Sequence, residues 1–459
     1  MGSACRTRCR PRPRFAPIRS IIRRLVEKNP LPEGAAPVAV GLVINGAATY
    51  AFFGIASRTL AAATYSAISA FWAVLYAIGN GIMQPLEQET ARACSARRVR
   101  GVGSGPVIRR AMVIGGLFWL LVAVVILVSA TQGAFQRLFH DNPVLILALI
   151  IGLGGFCVGH LTRGTLSSHH RFKRYGMFFS VDGVARVVLA AILGLLGVVA
   201  AGPWGMIMAF TPFIAVAVAL WRQHGLLEPG PAAPWRELTQ NLGWLLLGTS
   251  SISLVVQGGT IAVGRLATSS QQAAAGQFLN GLQTARIPLF LFQAILASLL
   301  PKLSRQAETG HLDEFTSGLR RLVLAILGLG MIAVLAAALL GPALIRLVFG
   351  TQSALTRWDL ALLALAYIII MATICIDQGL VALYAHSRMA IGWFCALLVF
   401  IGVTLLGTQL FQRVEIGLLS ASVFAFVWML TCLWLGLRRH RSIHAIELAD
   451  ALADLPTEM

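Results

Sequence analysis

The sequence predicts an all-α polytopic membrane protein with about 12 transmembrane helices in two six-helix bundles. Hydrophobic residues make up 57% of the 459 residues and charged residues only 12%, whereas about a quarter of a soluble domain is charged. About twelve apolar runs are long enough to cross a hydrocarbon core of about 30 Å. A helical hairpin sequence also occurs twice, half a chain apart. Together these features exclude an ordinary soluble domain.

The predicted spans alternate with short polar breaks. The first six lie near Val38–Ser57, Tyr65–Met83, Ala111–Ala130, Val144–Gly159, Gly176–Val199 and Pro203–Leu220. The second six lie near Leu242–Val263, Phe278–Leu300, Leu322–Leu340, Leu360–Ile376, Ile391–Leu410 and Ile416–Leu437. The apolar run from Val187 to Leu220 would be roughly 50 Å long as a helix, which is too long for one span. We therefore expect a turn at Ala201–Pro203.

The domain organisation follows from the breaks between the runs. A Pro/Gly-rich stretch at 223–240 predicts a cytoplasmic linker between bundles at 35–222 and 241–437. An arginine-rich tail at 1–34 fits either a segment held against anionic lipid or a disordered leader, and the leader is favoured. A second tail covers 438–459. The seven cysteines are scattered singly or without a partner pair, so we expect no disulfide framework, metal site or cofactor.

The repeated hairpin indicates an internal duplication. Leu42–Ala47 lies over Leu254–Gly259, and about 25 residues align without a gap. Because each half has an even number of spans, the halves enter the membrane in the same orientation, as in a parallel repeat. Two such bundles can rock against each other around a central cleft. The alternative is that apolar segments resemble one another by composition.

The positions of Lys and Arg predict the orientation of the spans. With the N-terminus inside, about twenty basic residues outside the tail fall on the inner side. The outer side holds six arginines, namely Arg58, Arg137, Arg265, Arg346, Arg357 and Arg413. Both termini are therefore expected in the cytoplasm. The net charge of +19 is mostly a topology signal, and we expect no nucleic-acid partner.

Polar residues inside the predicted spans mark the candidate site, because a charge at membrane depth normally faces protein or water. Arg286 lies two residues before Pro288, which permits a kink, and its guanidinium offers a fork of donors suited to phosphate. An equally good interpretation is a structural ion pair with a carboxylate.

Several other polar side chains in the spans are candidates. Asp182 and Arg186 share one helical face and can neutralise each other, so a structural pair is favoured over a coupling or gating role. Asp377 is a further coupling candidate. The remaining candidates could line a cavity or bond between helices, and they are Asn45, Gln257, Asn280 and Gln283. Glu87 and Glu89 are expected at the inner mouth, where a local pair with Arg92 is the simplest interpretation.

The segment LVINGAATYAFFGIASRTL, the PLEQE end of the second span and the 6+6 plan resemble the polysaccharide-export branch of the multidrug/oligosaccharidyl-lipid/polysaccharide exporter superfamily. The resemblance implies a V-shaped, two-lobed bundle that flips undecaprenyl-pyrophosphate-linked oligosaccharide across the cytoplasmic membrane by alternating access. It also implies a basic central cavity, in which Arg286 could act with Arg58 or Arg265 towards the outer mouth. The implied partners are membrane lipids, the lipid-linked glycan and enzymes of glycan biosynthesis.

Two alternatives stay open. A multidrug cation antiporter of the same superfamily would need membrane-embedded acids, for which only Asp182 and Asp377 are available. A membrane-embedded glycosyltransferase or polymerase would need a sizeable outer loop with acids or histidines, yet His140 and Asp141 are the one suggestive pair. No GxxxxGK[ST] loop occurs, so nucleotide-driven transport is not expected. The favoured interpretation is a transporter and not an enzyme.

Overall fold

The computed structural model describes residues 35–140, 142–289, 292, 303, 306, 312–350, 355–383 and 385–453. The tail at 1–34 and Asp141 lie outside these ranges. The helices of the N-terminal half are α1 (Ala35–Thr59), α2 (Ala62–Val99), α3 (Gly105–Thr131), the short α4 (Gln136–Phe139), α5 (Pro143–Ser168), α6 (Phe172–Leu195) and α7 (Ala201–Leu220). A short α8 (Arg236–Thr239) precedes the helices of the C-terminal half, which are α9 (Leu242–Leu266), α10 (Gln272–Ala285), α11 (Leu312–Phe349), α12 (Arg357–Ala382), α13 (His386–Leu406) and α14 (Leu410–Ala453).

The predicted all-α class is confirmed, since the described ranges contain helices and no strand. Eleven of these helices are long and apolar enough to cross a membrane. The remaining predicted span, Phe278–Leu300, begins within α10, and most of its second half lies outside the described residues. Proline and asparagine mark some of the helix starts. At α5, for example, the Asn142 side chain accepts a hydrogen bond from the backbone N–H of Val144 at 3.0 Å, which satisfies one of the free donors of the first turn.

The expected turn at Ala201–Pro203 is wrong by a few residues. Helix α6 ends at Leu195 and α7 begins at Ala201, and Gly197 has a φ of 66° in the connecting turn. A left-handed backbone favours glycine because glycine has no Cβ. Pro203 lies in the first turn of α7, where its missing N–H costs nothing because that donor would have no helical acceptor.

Small residues allow close helix packing within the N-terminal half. Helix α1 lies along α6, and a Cβ added to Gly176 would lie 2.1 Å from the carbonyl oxygen of Pro37. A Cβ added to Gly41 would lie 2.2 Å from the carbonyl oxygen of Gly176. The two backbones therefore touch directly, an arrangement common between helices in membranes.

Helix α2 carries much of the contact between the two halves. It packs against α5 in its own half and along α9 of the other half. On the predicted inner side, the Thr249 hydroxyl donates to the carbonyl of Gly81 at 2.8 Å. Near the other end of α2, Gly264 of α9 lies close to Ala70. The contact between the halves thus runs along much of α2.

The surfaces of α3 and α11 face away from the protein. Leu117 and Leu121 of α3 are 59% and 62% exposed, and Leu329 and Leu339 of α11 are 70% and 67% exposed. Exposed leucines on such apolar helices are what contact with lipid acyl chains requires.

The stretch predicted as a linker packs on the end of α2. Arg97 is 3% exposed, and its Nε donates to Glu237 of α8 at 2.9 Å. Its Nη1 also donates to the carbonyl of Pro231 at 2.8 Å. The stretch predicted as a linker is therefore held in place by a buried arginine.

Candidate functional site

Arg286 is buried between helices of the C-terminal half. Helix α10 ends at Ala285, and Arg286 forms the turn that precedes Pro288, so the helix is interrupted where the proline predicts a kink. The side chain is 3% exposed. This local break directs a long cationic side chain back towards α9 and α12.

The partners of Arg286 are an amide, a carbonyl and an aromatic ring. Its Nη1 donates to Oε1 of Gln257 at 2.8 Å, and its Nη2 donates to the carbonyl of Val256. The guanidinium carbon lies 4.9 Å from the centre of the Tyr367 ring, within the range of a cation–π contact. Within the described ranges no carboxylate lies within salt-bridge distance of Arg286, and its Nε has no hydrogen-bond partner.

Two polar residues of α10 lie at the boundary with the N-terminal half. Asn280 is fully buried, and its Oδ1 accepts a hydrogen bond from the Tyr65 hydroxyl of α2. The Tyr50 hydroxyl of α1 donates to the backbone carbonyl of Gln283 at 2.8 Å. The amide nitrogen of Asn280 and both polar atoms of the Gln283 side chain have no partner among the described residues.

Asn45, which the predicted repeat aligns with Gln257, belongs to a neutral cluster in the N-terminal half. Asn45 donates from Nδ2 to Oδ2 of Asp182 and to the carbonyl of Phe179, both at 3.0 Å. Arg186 donates to the same carboxylate oxygen, and its guanidinium lies 5.1 Å from the Trp72 ring centre. Asp182 and Arg186 are thus an i,i+4 pair on one face of α6.

The surroundings of Asn45 and Gln257 differ in charge. Asn45 and Gln257 align in the repeated hairpin, and each amide lies beside a buried arginine. In the N-terminal half Asp182 balances the charge of Arg186, whereas the described part of the chain places no acid beside Arg286. The structure therefore brings Asn45, Asp182 and Arg186 together in one cluster and Gln257 and Arg286 in another.

Arg58 and Arg265 lie elsewhere, at the predicted outer side. Arg58 Nη2 donates to the carbonyl of Leu347 at 2.8 Å and Nη1 to that of Val348, both at the end of α11 in the other half. Arg265 Nη1 donates to the carbonyl of Ala134, between α3 and α4, at 2.7 Å. Both side chains are exposed, and their hydrogen bonds link the two halves at this end.

Asp377 is separate from both clusters. It lies near the end of α12, is 8% exposed, and its Oδ1 has no hydrogen-bond partner among the described residues. No ion pair to Asp377 occurs in the described ranges.

The sequence interpretation missed a buried charged network around Glu87. Glu89 makes the expected local pair with Arg92 at 2.7 Å, but Glu87 does not. Its Oε2 lies 2.7 Å from Nδ1 of His160 and 2.8 Å from Nη2 of Arg163. The His160-x-x-Arg163 spacing on one helix face was the signal that could have indicated this network.

Comparison with known proteins relates the fold to transporters. No family model matches the chain. The structure aligns with a multidrug resistance MATE family transporter of the MOP superfamily in an inward-facing conformation, with a TM-score of 0.66 and 14% identity over 87% of this chain and 98% of that one. The outward-facing conformation of such a transporter gives a TM-score of 0.65 at 14% identity, over 90% of this chain and 95% of that one. A single-residue mutant of the Vibrio cholerae MATE transporter VcmN gives a TM-score of 0.58 at 15% identity, over 92% of this chain and 97% of that one.

Sequence comparison finds relatives in mycobacteria. One uncharacterized protein of Mycobacterium tuberculosis (strain ATCC 25618 / H37Rv) is 27% identical over 375 residues, which cover 78% of this chain and 82% of the relative. Another uncharacterized protein from the same strain is 27% identical over 435 residues, which cover 87% of this chain and 94% of the relative. The structural alignments thus show that the chain has the fold of the MATE transporters of the MOP superfamily, over nearly the whole of their length.

Proposed function

We propose that the protein moves a lipid-linked oligosaccharide, carried on undecaprenyl pyrophosphate, across the cytoplasmic membrane by alternating access of its two halves. The observation that carries this proposal is Arg286, a buried cation surrounded by amide, carbonyl and aromatic groups. Membrane lipids and enzymes of glycan biosynthesis are the partners that such a role requires.

The surroundings of Arg286 suit an anion. A buried charge is costly unless an opposite charge or several hydrogen bonds compensate it. Gln257, Val256 and Tyr367 supply partial compensation, and Nε remains without a partner. A pyrophosphate oxygen would complete the compensation, because guanidinium and phosphate form bidentate, charge-assisted hydrogen bonds.

The boundary between the halves offers further polar contacts. The free amide atoms of Asn280 and Gln283 are buried while the halves are together, and they would become available as the halves separate. Amide groups donate to and accept from hydroxyl groups, so they suit the sugar part of the substrate. The contacts of Tyr50 and Tyr65 would hold this surface closed between cycles.

A multidrug antiporter is the second candidate. The structural neighbours named above include a multidrug resistance transporter, which favours this function. A cation antiporter needs an acid that is free to bind the coupling ion. Asp182 already contacts Asn45 and Arg186, which leaves Asp377 as the better coupling candidate and makes Asp182 and Arg186 a gating pair at most.

The test is a flipping assay in proteoliposomes with fluorescent undecaprenyl-pyrophosphate-linked oligosaccharide as the probe. We expect Arg286→Ala to abolish flipping and Arg286→Lys to impair it at least about tenfold, because lysine keeps the charge but loses the planar fork. Arg109→Ala is the matched control, because Arg109 is exposed on α3 and should leave the rate unchanged.

Two results would reject the proposal. Normal flipping by folded Arg286→Ala would show that Arg286 is not needed to bind the substrate. Absence of flipping by the wild-type protein, together with export of cationic drugs that depends on Asp377, would support the antiporter instead.

A further inference from the structure

A polar cavity lies at the predicted inner end of the N-terminal half. Its volume is about 170 Å³, and its walls come from the ends of α2 and α5, the starts of α3 and α6, and the residues Gly225 and Glu228. Arg98 and Glu228 in the wall are exposed, so the cavity opens at the surface. A water molecule takes about 30 Å³ in the liquid, and the cavity therefore has room for a phosphate group.

Two arginines in the cavity wall have donors to spare. Arg98, in the last turn of α2, has one described hydrogen bond, from Nη1 to the carbonyl of Ser168 at 3.4 Å. Arg171 directly precedes α6 and donates from Nη1 to Gln223 and from Nη2 to the carbonyl of His224. In the described ranges neither guanidinium has a carboxylate within salt-bridge distance. Both can therefore offer further N–H groups to a phosphate, whose geometry suits the guanidinium fork.

Ser104 and His169 add polar groups to the same wall. Ser104 is 4% exposed and directly precedes α3, where a serine normally caps the helix, but its hydroxyl makes no cap bond. The hydroxyl lies 3.3 Å from Nε2 of His169 instead. Because Nδ1 of His169 donates to the carbonyl of Thr165 at 2.8 Å, Nε2 is the acceptor. A hydroxyl can rotate, so Ser104 can donate to Nε2 or to a bound phosphate oxygen.

The charges around the cavity favour an anion. Helices α3 and α6 begin there, and the first turn of a long helix carries a partial positive charge. Helices α2 and α5 end there, but Arg98 and His169 lie in or beside their last turns, where a cation offsets the opposite partial charge. Among the described residues of the wall, Glu228 alone is acidic. Arg98 and Arg171 outweigh this single carboxylate.

Exposed apolar side chains lie next to the cavity. Trp221 directly follows α7 and is 65% exposed, and Leu227 is 54% exposed beside Glu228. The carbonyl oxygen of Leu227 lies 3.0 Å from the position of a Cβ added to Gly105, the first residue of α3. At the ends of membrane spans, tryptophan side chains lie among the lipid headgroups. The position of the cavity therefore fits a phosphate that is carried by a lipid.

We propose that this cavity binds a phosphate group, and that its source is an anionic phospholipid at the predicted inner surface of the membrane. Arg98 and Arg171 contact the phosphate oxygens, and Ser104 donates to them. The acyl chains lie over Trp221 and Leu227. A lipid bound there joins the ends of α2, α3 and α6 whatever substrate the protein transports, so the site is independent of the proposed function.

Native mass spectrometry of the detergent-solubilised full chain measures the affinity for the first lipid bound. The probes are phosphatidylglycerol and phosphatidylcholine with the same acyl chains. We expect phosphatidylglycerol to bind at least about fivefold more tightly, because the choline cation would face the arginines. Arg98→Gln and Arg171→Gln should each weaken its binding at least about fivefold, because charge-assisted hydrogen bonds are lost. Glu228→Gln should strengthen it about twofold or more, because a like charge is removed.

Arg100→Gln is the matched control. Arg100 is exposed at the same end of α2, and its Nε donates to the carbonyl of Ala96 in its own helix. Loss of this charge should change the affinity by less than about twofold, since Arg100 is not in the cavity wall and exposed charges are screened. Arg98→Gln keeps the test usable if Arg171→Gln does not fold, because Arg98 is exposed and its described contact is a single long hydrogen bond.

Cys94 reports the location of the lipid, because it lies in the cavity wall. With every other cysteine replaced, phosphatidylglycerol should slow the reaction of Cys94 with a small thiol reagent at least about fivefold. Phosphatidylcholine should not. A reaction rate that phosphatidylglycerol leaves unchanged would place the lipid elsewhere and refute the site.

The binding data can also refute the site. Equal affinity of wild type, Arg98→Gln and Arg171→Gln for phosphatidylglycerol would do so, as would an equal loss in Arg100→Gln, which would indicate attraction to the basic surface as a whole. Inorganic phosphate tests the source. If phosphatidylglycerol fails to bind while inorganic phosphate raises the melting temperature of wild type but not of Arg98→Gln, the lipid is rejected and the cavity binds free phosphate.

Discussion

Removal of the Arg58 guanidinium should open the predicted outer side of the protein. Arg58 donates to the carbonyls of Leu347 and Val348 in the other half, and it lies at the C-terminal end of α11, where a cation is favoured. Hydrogen bonds from a charged group are worth about 1.5–3 kcal/mol when buried, and an exposed charge contributes less. We take about 1 kcal/mol for each bond, or about 2 kcal/mol in total. Since 1.4 kcal/mol is a factor of ten, Arg58→Ala should raise the open population about 30-fold.

The labelling rate of a buried cysteine measures this population. Ser66→Cys places a thiol on α2, where the native serine is 6% exposed and lies beside Gly276 of the other half. In a cysteine-free background, maleimide should label it about 30-fold faster in Arg58→Ala, and by an intermediate factor in Arg58→Lys, which keeps the charge with fewer donors. Arg137→Ala, also exposed on the outer side, is the control. A rate within about twofold of wild type in folded Arg58→Ala, or an equal rise in the control, would show that these hydrogen bonds do not hold the halves together.

Two further predictions concern packing and topology. Gly176→Ala should lower the free energy of unfolding by about 2 kcal/mol or more, because the new Cβ would meet the backbone of Pro37 and α1 would have to move. Gly243→Ala is the control and should not lower it, since no atom lies within 4 Å of the Cβ added there. Thermal unfolding in detergent compares the two, and equal melting temperatures would contradict the packing argument. A cysteine added at the C-terminus should not react with an impermeant maleimide applied to whole cells, whereas Thr268→Cys should react; the reverse pattern would invert the predicted orientation.

The helices were predictable because the physical constraint on them is simple. A span must be apolar and about 20 residues long, and every described helix of that kind overlaps a run visible in the sequence. The ends were less predictable. Helix α2 continues to Val99 through residues that are polar and basic, and such a continuation leaves no apolar signal. The turn before Ala201 was misplaced because a proline in the first turn of a helix looks like a break in the sequence.

The candidate site was predictable only in part. Arg286 stands out in the sequence because a charge inside an apolar run is rare, and its position before Pro288 indicated the kink. Its partners were not predictable, since Tyr367 lies far along the chain and carries no distinctive pattern. The same holds for Glu87 and His160, which are 73 positions apart. Residues that meet only through tertiary packing leave no periodic trace in a single sequence.

The long contact of α2 with the other half limits how the two halves can move. From Ser66 to Gly81, α2 touches Gly276, Gly264 and Ser250 in turn, a distance of roughly 22 Å along the helix at about 1.5 Å per residue. A hinge that opened the whole boundary would have to break all of these contacts together. Gly264 and Gly81 have no side chain where α2 and α9 meet, so these points of the contact allow α2 to slide along α9 in a shear motion. Bulky side chains along this line would block the sliding of α2 and hold the protein in one state.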